Sequence, residues 1–285
     1  MNVNILKLNS SEYPENLAQI SSPPQELRWI GSEPRLWLAQ PKIGVVGSRK
    51  ITPYGRSVTS KIVSELAGLG VVVISGLAFG VDICAHQAAM AAGGTTAAVL
   101  GTPLEDIYPA AHAQIAKQII QNGTIFSEYP AGTPGFPANF IARNRIISGL
   151  SDALLITEAA VNSGSLHTAR FALEQGKTVM AVPGNITSPI SEGCNNLIKS
   201  GALPVTSADD VFFALGLNSK PRKAAAFSGT QTEQQVLKFI GDGLSAQEQL
   251  AQAARLDTPT LSSTLTMLEI QGRIRPAGSG NWVIA

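Results

Sequence analysis

KIGVVGSRKITPYG, residues 42–55, decides the fold. A short apolar run ends at Gly47-Ser48-Arg49, and helical periodicity begins within a few residues, at Tyr54. The same unit recurs. Further apolar runs read GVVVISG (70–76), TAAVLG (96–101), TIFSE (124–128), ALLIT (153–157) and TVMAVPG (178–184). Helical spacing fills the gaps at 54–69, 81–92, 112–121, 139–148 and 165–175. Strand and helix alternating at this length predict a doubly wound parallel sheet, α/β in class, with helices covering both faces. Strands apolar on both sides fit that burial.

Outward from this core, residues 1–41 hold scattered Pro, Trp and Ser and read as a cap on the main domain at 42–218. Lys220-Pro221-Arg222-Lys223 breaks the rhythm, so 219–230 reads as a linker. Within 231–285, helical patterns at 233–240 and 245–254 precede a third from Thr258, with Leu261, Leu265 and Leu268 on one stripe. GRIRPAGSGNWVIA then reads as two strands around a Gly-Ser-Gly turn. Three helices and a hairpin make a small C-terminal winged helix.

Composition is that of a globular protein: 285 residues, 44% hydrophobic, 14% charged, formal net charge +1. That balance makes no global case for a polyanionic partner, so an anion site must come from local clustering. No apolar run reaches the ~18 residues that span a bilayer. The first residues do not read as a signal peptide, which predicts a cytoplasmic protein with no membrane partner. Cys84 and Cys194 lie far apart and read as buried, inert thiols.

In open parallel sheets, ligands bind beyond the carboxyl ends of the strands, near helix N-termini. At the first end, Ser48 offers a hydroxyl and Arg49 a planar fork suited to phosphate. The dinucleotide pattern G-x-G-x-x-G is absent, and the second strand ends in Ser75-Gly76 rather than a ribose-holding acid, so no cofactor is expected. Asp82 and His86, four apart on the next helix, are spaced to pair. No metal-ligand spacing is found for His112 or His167.

The fourth strand end leads to FIARNRIISG (140–149). On a helix, Phe140, Arg143, Asn144 and Ile147 share a face. A ring, a guanidinium and an amide there suit a base with its phosphate. The competing reading places Phe140 in the core and pairs the arginines with Glu128, Asp152 or Glu158. Spacing makes Arg143 the first choice for phosphate and Arg145 the brace. At the fifth end, Ser163-Gly164-Ser165 precedes a helix and reads as an anion nest. The lips at the strand ends converge on one rim.

Side by side, these segments resemble the DprA/Smf family of DNA-processing proteins. The resemblance rests on VGSRKITPYG, SGLAFGVDICAHQAAM, IYP at 107–109, SEYPAGTP, the run from RNRIISGLSD to VMAVPG, and EGCNNLIKSGA. It covers roughly residues 10–215, and a winged-helix tail is common in the family. It implies an extended Rossmann-like fold that binds single-stranded DNA without catalysis, protects it, and loads RecA recombinase in natural transformation. It also implies a homodimer and traffic with single-strand-binding protein. The implied DNA-binding residues are Ser48, Arg49, Ser75, Gly76, Phe140, Arg143, Asn144, Arg145, Ser163, Gly164 and Ser165. The chain departs from the family pattern at Phe140-Ile141-Ala142, where Phe-Pro often precedes R-N-R, and at Pro103, where glycine is usual.

Two rival classes stay open. Nucleoside-monophosphate phosphoribohydrolases carry a P-G-G-x-G-T-x-x-E turn whose glutamate serves the chemistry. Here NSGSLHTAR has no carboxylate close behind, and acid–base work needs one. The other rival is an interaction scaffold with a vestigial pocket. For the tail, the third helix carries no lysine or arginine, and 228–285 holds four basic against five acidic residues. Counter-ion release would be meagre, which predicts protein contact rather than duplex reading.

Overall fold

The computed structural model describes residues 3–217, 229–278 and 280–284. The chain divides into two compact units, Met1–Ser219 and Lys220–Ala285. The basic stretch 220–223, read from sequence as a linker, lies outside the described residues.

The larger unit is built on a nine-stranded, mostly parallel sheet. In chain order its elements are β1 (Asn4–Lys7), α1 (Glu15–Ala18), β2 (Glu26–Gly31), β3 (Lys42–Val46), α2 (Pro53–Gly68), β4 (Val72–Ser75), α3 (Val81–Ala91) and β5 (Thr96–Leu100). They continue with α4 (Ala113–Asn122), β6 (Thr124–Ser127), α5 (Pro137–Leu150), β7 (Ala153–Ile156), α6 (Ser165–Glu174), β8 (Thr178–Ala181), α7 (Glu192–Lys199), β9 (Leu203–Pro204) and α8 (Ala208–Ala214). Strand order is β1-β2-β6-β5-β4-β3-β7-β8-β9. All neighbours from β6 to β9 pair in parallel, and β2 and β1 add on antiparallel.

The six strands read from sequence are those whose both faces are covered, and β3, β4, β5, β6 and β7 are buried at every position. The segment read as a cap or extension of the main domain supplies two strands. β1 and β2 are edge strands of mixed burial, so they lack the continuous apolar run that announced the rest. Their side of the sheet is sealed by Leu17, Leu27 and Trp37, which join the core with Phe126 and Leu150. Trp37 Nε1 donates to Thr124 Oγ1 at 3.0 Å, giving the buried indole its polar partner.

The order of strand addition reverses at β3 and β7, because β4 to β6 run off one side of β3 and β7 to β9 off the other. This is the switch point where loops at the carboxyl ends part and leave a crevice.

In the smaller unit, α9 (Gln231–Gly241), α10 (Gln247–Ala254) and α11 (Thr258–Ile270) precede the hairpin β10 (Ile274–Gly278) and β11 (Asn281–Ile284). Thr230 and Glu233 form a reciprocal capping box at the start of α9, and Asp257 caps α11. Val236, Leu250, Leu261, Leu265 and Leu268 form this winged helix's own core.

Candidate nucleic-acid interface

At the switch point, the place of a ligand is taken by the chain itself. Glu158, two residues beyond β7, is 2% exposed. Its carboxylate accepts the Thr52 amide at 2.8 Å and the Thr52 hydroxyl, at the N-terminus of α2. Thr52 Oγ1 in turn accepts the Gly55 amide. A side chain at Gly55 would lie 2.7 Å from the Glu158 carboxyl carbon, so the glycine makes room for it. The unsatisfied donors and positive dipole end of a helix favour an anion, and here that anion is internal. A dinucleotide's pyrophosphate would have to displace a buried carboxylate. Sequence reading weighed Glu158 only as a partner for an arginine.

The open cleft lies one strand over, beyond β3, β4 and β5. Arg49, Gly76, Ala78, Phe79, Tyr108, Pro109, Phe140 and Arg143 line it. Two backbone features bring its lips together. Gly80 has φ of 82°, and a Cβ there would sit 2.0 Å from the Ser48 carbonyl oxygen, so only glycine allows the approach. The Val81 amide then donates to that carbonyl at 3.1 Å. Leu77, buried and at φ 58°, turns the chain beside them.

Under the cleft lies a buried charge array. Arg143, on α5, is 3% exposed; Nη1 donates to the carbonyls of Gly76, at 2.8 Å, and Val99, while Nε donates to Asn144 Oδ1 at 3.2 Å. Asp82 accepts the amides of Gly76 and Ala78 on Oδ2 at 3.1 and 3.3 Å. Burial pushes the Asp82 carboxyl up from its ordinary pKa, against the pull of Arg143, the two amides and Arg49. Burial likewise brings Arg143 down to about 10, opposed by Asp82 and assisted by Arg49. Carboxylate and guanidinium grip the Gly76 loop from its two polar ends.

These contacts bear on three expectations. Arg143, first choice for phosphate from helical spacing, has its guanidinium buried and engaged by carbonyls. Asp82 and His86 do not pair: His86 Nδ1 meets Thr96 Oγ1 at 2.7 Å, and Asp82 serves backbone amides. Of the acids weighed for the arginines, Glu128 pairs with Arg145, whereas Asp152 pairs with Lys42 and Glu158 caps α2. Arg145 also donates to the Ser22 carbonyl at 2.8 Å.

The remaining residues divide by position. Ser48 is buried, with Oγ accepting the Lys50 amide. Ser75 is buried and donates to the Val45 carbonyl at 2.6 Å. Neither hydroxyl opens on the cleft lining. Phe140 does, half-buried, with Asn144 braced behind it. Ser163, Gly164 and Ser165 follow β7 and lie outside this cleft; the two hydroxyls bond each other at 2.8 Å. Arg49 is exposed, and among the described residues it forms no ion pair.

Two aromatic residues not singled out as site candidates complete the mouth. Tyr108 is 52% exposed and tilts against Phe140 with ring centroids 5.2 Å apart. Phe79, 48% exposed, meets the His112 ring edge-on at 4.7 Å. Exposed aromatics in short loops between small residues were the available signal. The cleft is small, about 30 Å³ in volume, and the rings stand at its mouth. Roomier grooves exist, of about 280 Å³ by Gln118 and about 370 Å³ by Asn195. Neither has an aromatic lining, and only the second has a cation, Lys199, beside Glu192.

With this geometry in place, comparison with known proteins is informative. A family described as DNA recombination-mediator protein A matches residues 4–216, and a DprA winged helix domain matches 220–280. Protein Smf of Escherichia coli is 38% identical over 289 residues, covering 98% of this chain and 77% of the relative. Other curated relatives are longer, the chain spanning as little as 54% of one of them. DNA processing protein A of Streptococcus pneumoniae superposes with a TM-score of 0.70 at 38% identity, over 74% of this chain and 73% of that one. A Helicobacter pylori DNA processing protein A, whose structure concerns a single-stranded DNA binding mode, superposes at 0.67 with 32% identity, over 75% and 95%.

Proposed function

The chain belongs to the DNA recombination-mediator protein A family, and on that premise we propose that its cleft binds single-stranded DNA without chemical turnover. The observation that carries this is Arg49: an exposed guanidinium, in no ion pair among the described residues, beside the exposed rings of Phe79 and Tyr108. Phosphate meets the fork of Arg49, and unpaired bases lie on the rings. Arg143 supports from beneath by fixing the Gly76 loop, and Arg145 ties α5 to β6 through Glu128. Neither needs to touch DNA. Stacking and backbone contact carry little base information, so binding tolerates sequence.

The titratable groups nearest the cleft favour binding over catalysis. Asp82 is buried and engaged by amides. His86 is buried too, and burial, with the charges of His112 and Arg143, holds it down at about 3. General acid–base work needs a positioned group titrating near the working pH. The description of the family as a recombination mediator supports delivery of the bound strand to RecA recombinase in competition with single-strand-binding protein. In this reading the protein works in the cytoplasm as a homodimer. Among the described residues no helix is long and apolar enough to cross a membrane.

Anisotropy titration with labelled oligo-dT, single-stranded and duplex, tests the reading. Wild type should prefer the single strand, and Arg49→Gln should weaken it and flatten its salt dependence by about 0.7 in log–log slope. An unchanged slope removes Arg49 from the interface. Release of free base from nucleoside monophosphates would instead support the hydrolase, and no binding at all the scaffold.

A further inference from the structure

Between Arg49 and Ser64 the chain carries four cations, Arg49, Lys50, Arg56 and Lys61, and no acid. The whole protein has a formal charge of only +1, so this is a concentrated local excess. All four residues are exposed. Among the described residues none of them forms an ion pair. Inward, α2 buries Ile62, Val63 and Leu66, so these cations face solvent, and the first acid on the helix is Glu65, after the last of them.

Stability does not account for this arrangement. Arg56 lies near the N-terminus of α2, where the helix dipole disfavours a cation, and the first turn has no acid. The anion this helix end calls for is already supplied from inside by Glu158. An outer row of cations beginning at the mouth of the cleft implies an external polyanion.

We propose that the DNA strand, on leaving the cleft at Arg49, runs on over the solvent face of α2, its phosphates held by Lys50, Arg56 and Lys61. This rests on the cleft reading above and extends the footprint beyond it. Arg56 and Lys61 are about 7.5 Å apart along the helix axis and about 140° apart around it, so they flank the solvent face and serve separate points on a backbone. The occupant is single-stranded because the row starts at a mouth whose ring faces take unpaired bases. In addition, α2 packs against α3 and α8. It lies in the helical layer and does not protrude as a helix entering a major groove must.

The test uses full-length protein, with a short oligo-dT that fills only the cleft (about 5 nucleotides) and one about 20 long. For Arg56→Gln/Lys61→Gln the long-strand salt slope should fall by about 1.4, two single-strand phosphates' share. Between 50 and 200 mM salt, wild type should then lose about seven-fold more affinity than the variant. Short-strand binding should be unaltered, which also shows the variant folded. A long-strand slope equal to wild type overturns the track and leaves the cleft reading standing. Equal losses on both lengths would place these cations within the cleft footprint and overturn the extension. A larger effect on 20-base-pair duplex than on single strand would make the track a duplex site. If wild type binds neither length, cleft and track fall together.

Discussion

The guanidinium of Arg143 lies across Gly76: Nη1 donates to the Gly76 carbonyl at 2.8 Å, and a methyl placed on Gly76 would fall 2.6 Å from Nη2. The same methyl would fall 2.7 Å from Asp82 Oδ2. This glycine is required by side chains and not by φ. Here a buried cation and a buried carboxylate both close on the backbone.

Gly76→Ala should therefore cost about 1–3 kcal/mol, the usual range for overpacking a filled interior. The guanidinium cannot retreat without abandoning the Val99 carbonyl. Urea denaturation measures the loss. Single-strand affinity should fall with it, since the lip carrying Ala78 and Phe79 moves. A variant of wild-type stability would show that the array is looser than drawn.

Arg145 and Glu128 form a bidentate pair, Nη1 to Oε1 at 2.8 Å and Nη2 to Oε2 at 2.6 Å, with side chains 14% and 17% exposed. Their mutual charge and hydrogen bonds raise the Arg145 pKa despite burial. Arg145→Gln strands a mostly buried carboxylate, and the expected cost is about 1–3 kcal/mol. Arg145→Gln/Glu128→Gln should recover part of it, because two neutral amides leave no lone charge. Single-strand salt slope should not change in either variant. A drop of one phosphate's share would make Arg145 a DNA contact and not a brace.

His86 supplies a pH dependence whose sign is fixed by burial. Its folded pKa is about 3 against an ordinary 6.5. Between those values the unfolded chain binds the extra proton and the folded chain does not, so stability rises with pH through this window. The contribution is complete above about pH 6.5 and is lost as pH falls. At pH 5 the loss amounts to about 2 kcal/mol. Urea denaturation at pH 7 and pH 5 should show that difference in wild type and a smaller one in His86→Gln. Equal pH dependence in the two proteins would mean another group controls the acid limb.

The sheet was legible because β3 to β8 are short, apolar and separated by helical spacing. α11 follows from its leucine stripe and starts at Thr258, as read. β1 and β2 were hidden because an edge strand has no continuous apolar run, and two-residue β9 is too short to carry a pattern. At the site, position on the rim was readable for Arg49, Gly76, Phe140 and Arg143 but not for Ser163 to Ser165, and orientation was not. Helical spacing put Arg143 beside Phe140 correctly, yet periodicity cannot say that two carbonyls and Asn144 take three of its five donors. Glu158 was unreadable as a cap because its partner Thr52 is 106 residues away. Contacts of that range are made by sheet topology, and nothing near either residue announces them.

The winged helix gives the last expectation. Such units often read duplex DNA through their third helix, and α11 is that helix. Its exposed side chains include Ser263, Thr266, Met267, Glu269 and Ile270. None is cationic, and the unit from residue 229 holds four basic against five acidic residues. Phosphate neutralisation supplies essentially all non-specific affinity, so this face has little to offer a duplex. The unit has its own core, so a fragment from residue 229 can be tested alone. It should show no micromolar binding to duplex DNA at physiological salt. Thr266→Lys/Ile270→Lys should then create weak, salt-sensitive binding, because only charge is missing from the geometry. Micromolar binding by the unsubstituted fragment would overturn this and make α11 a duplex reader that works without cations of its own.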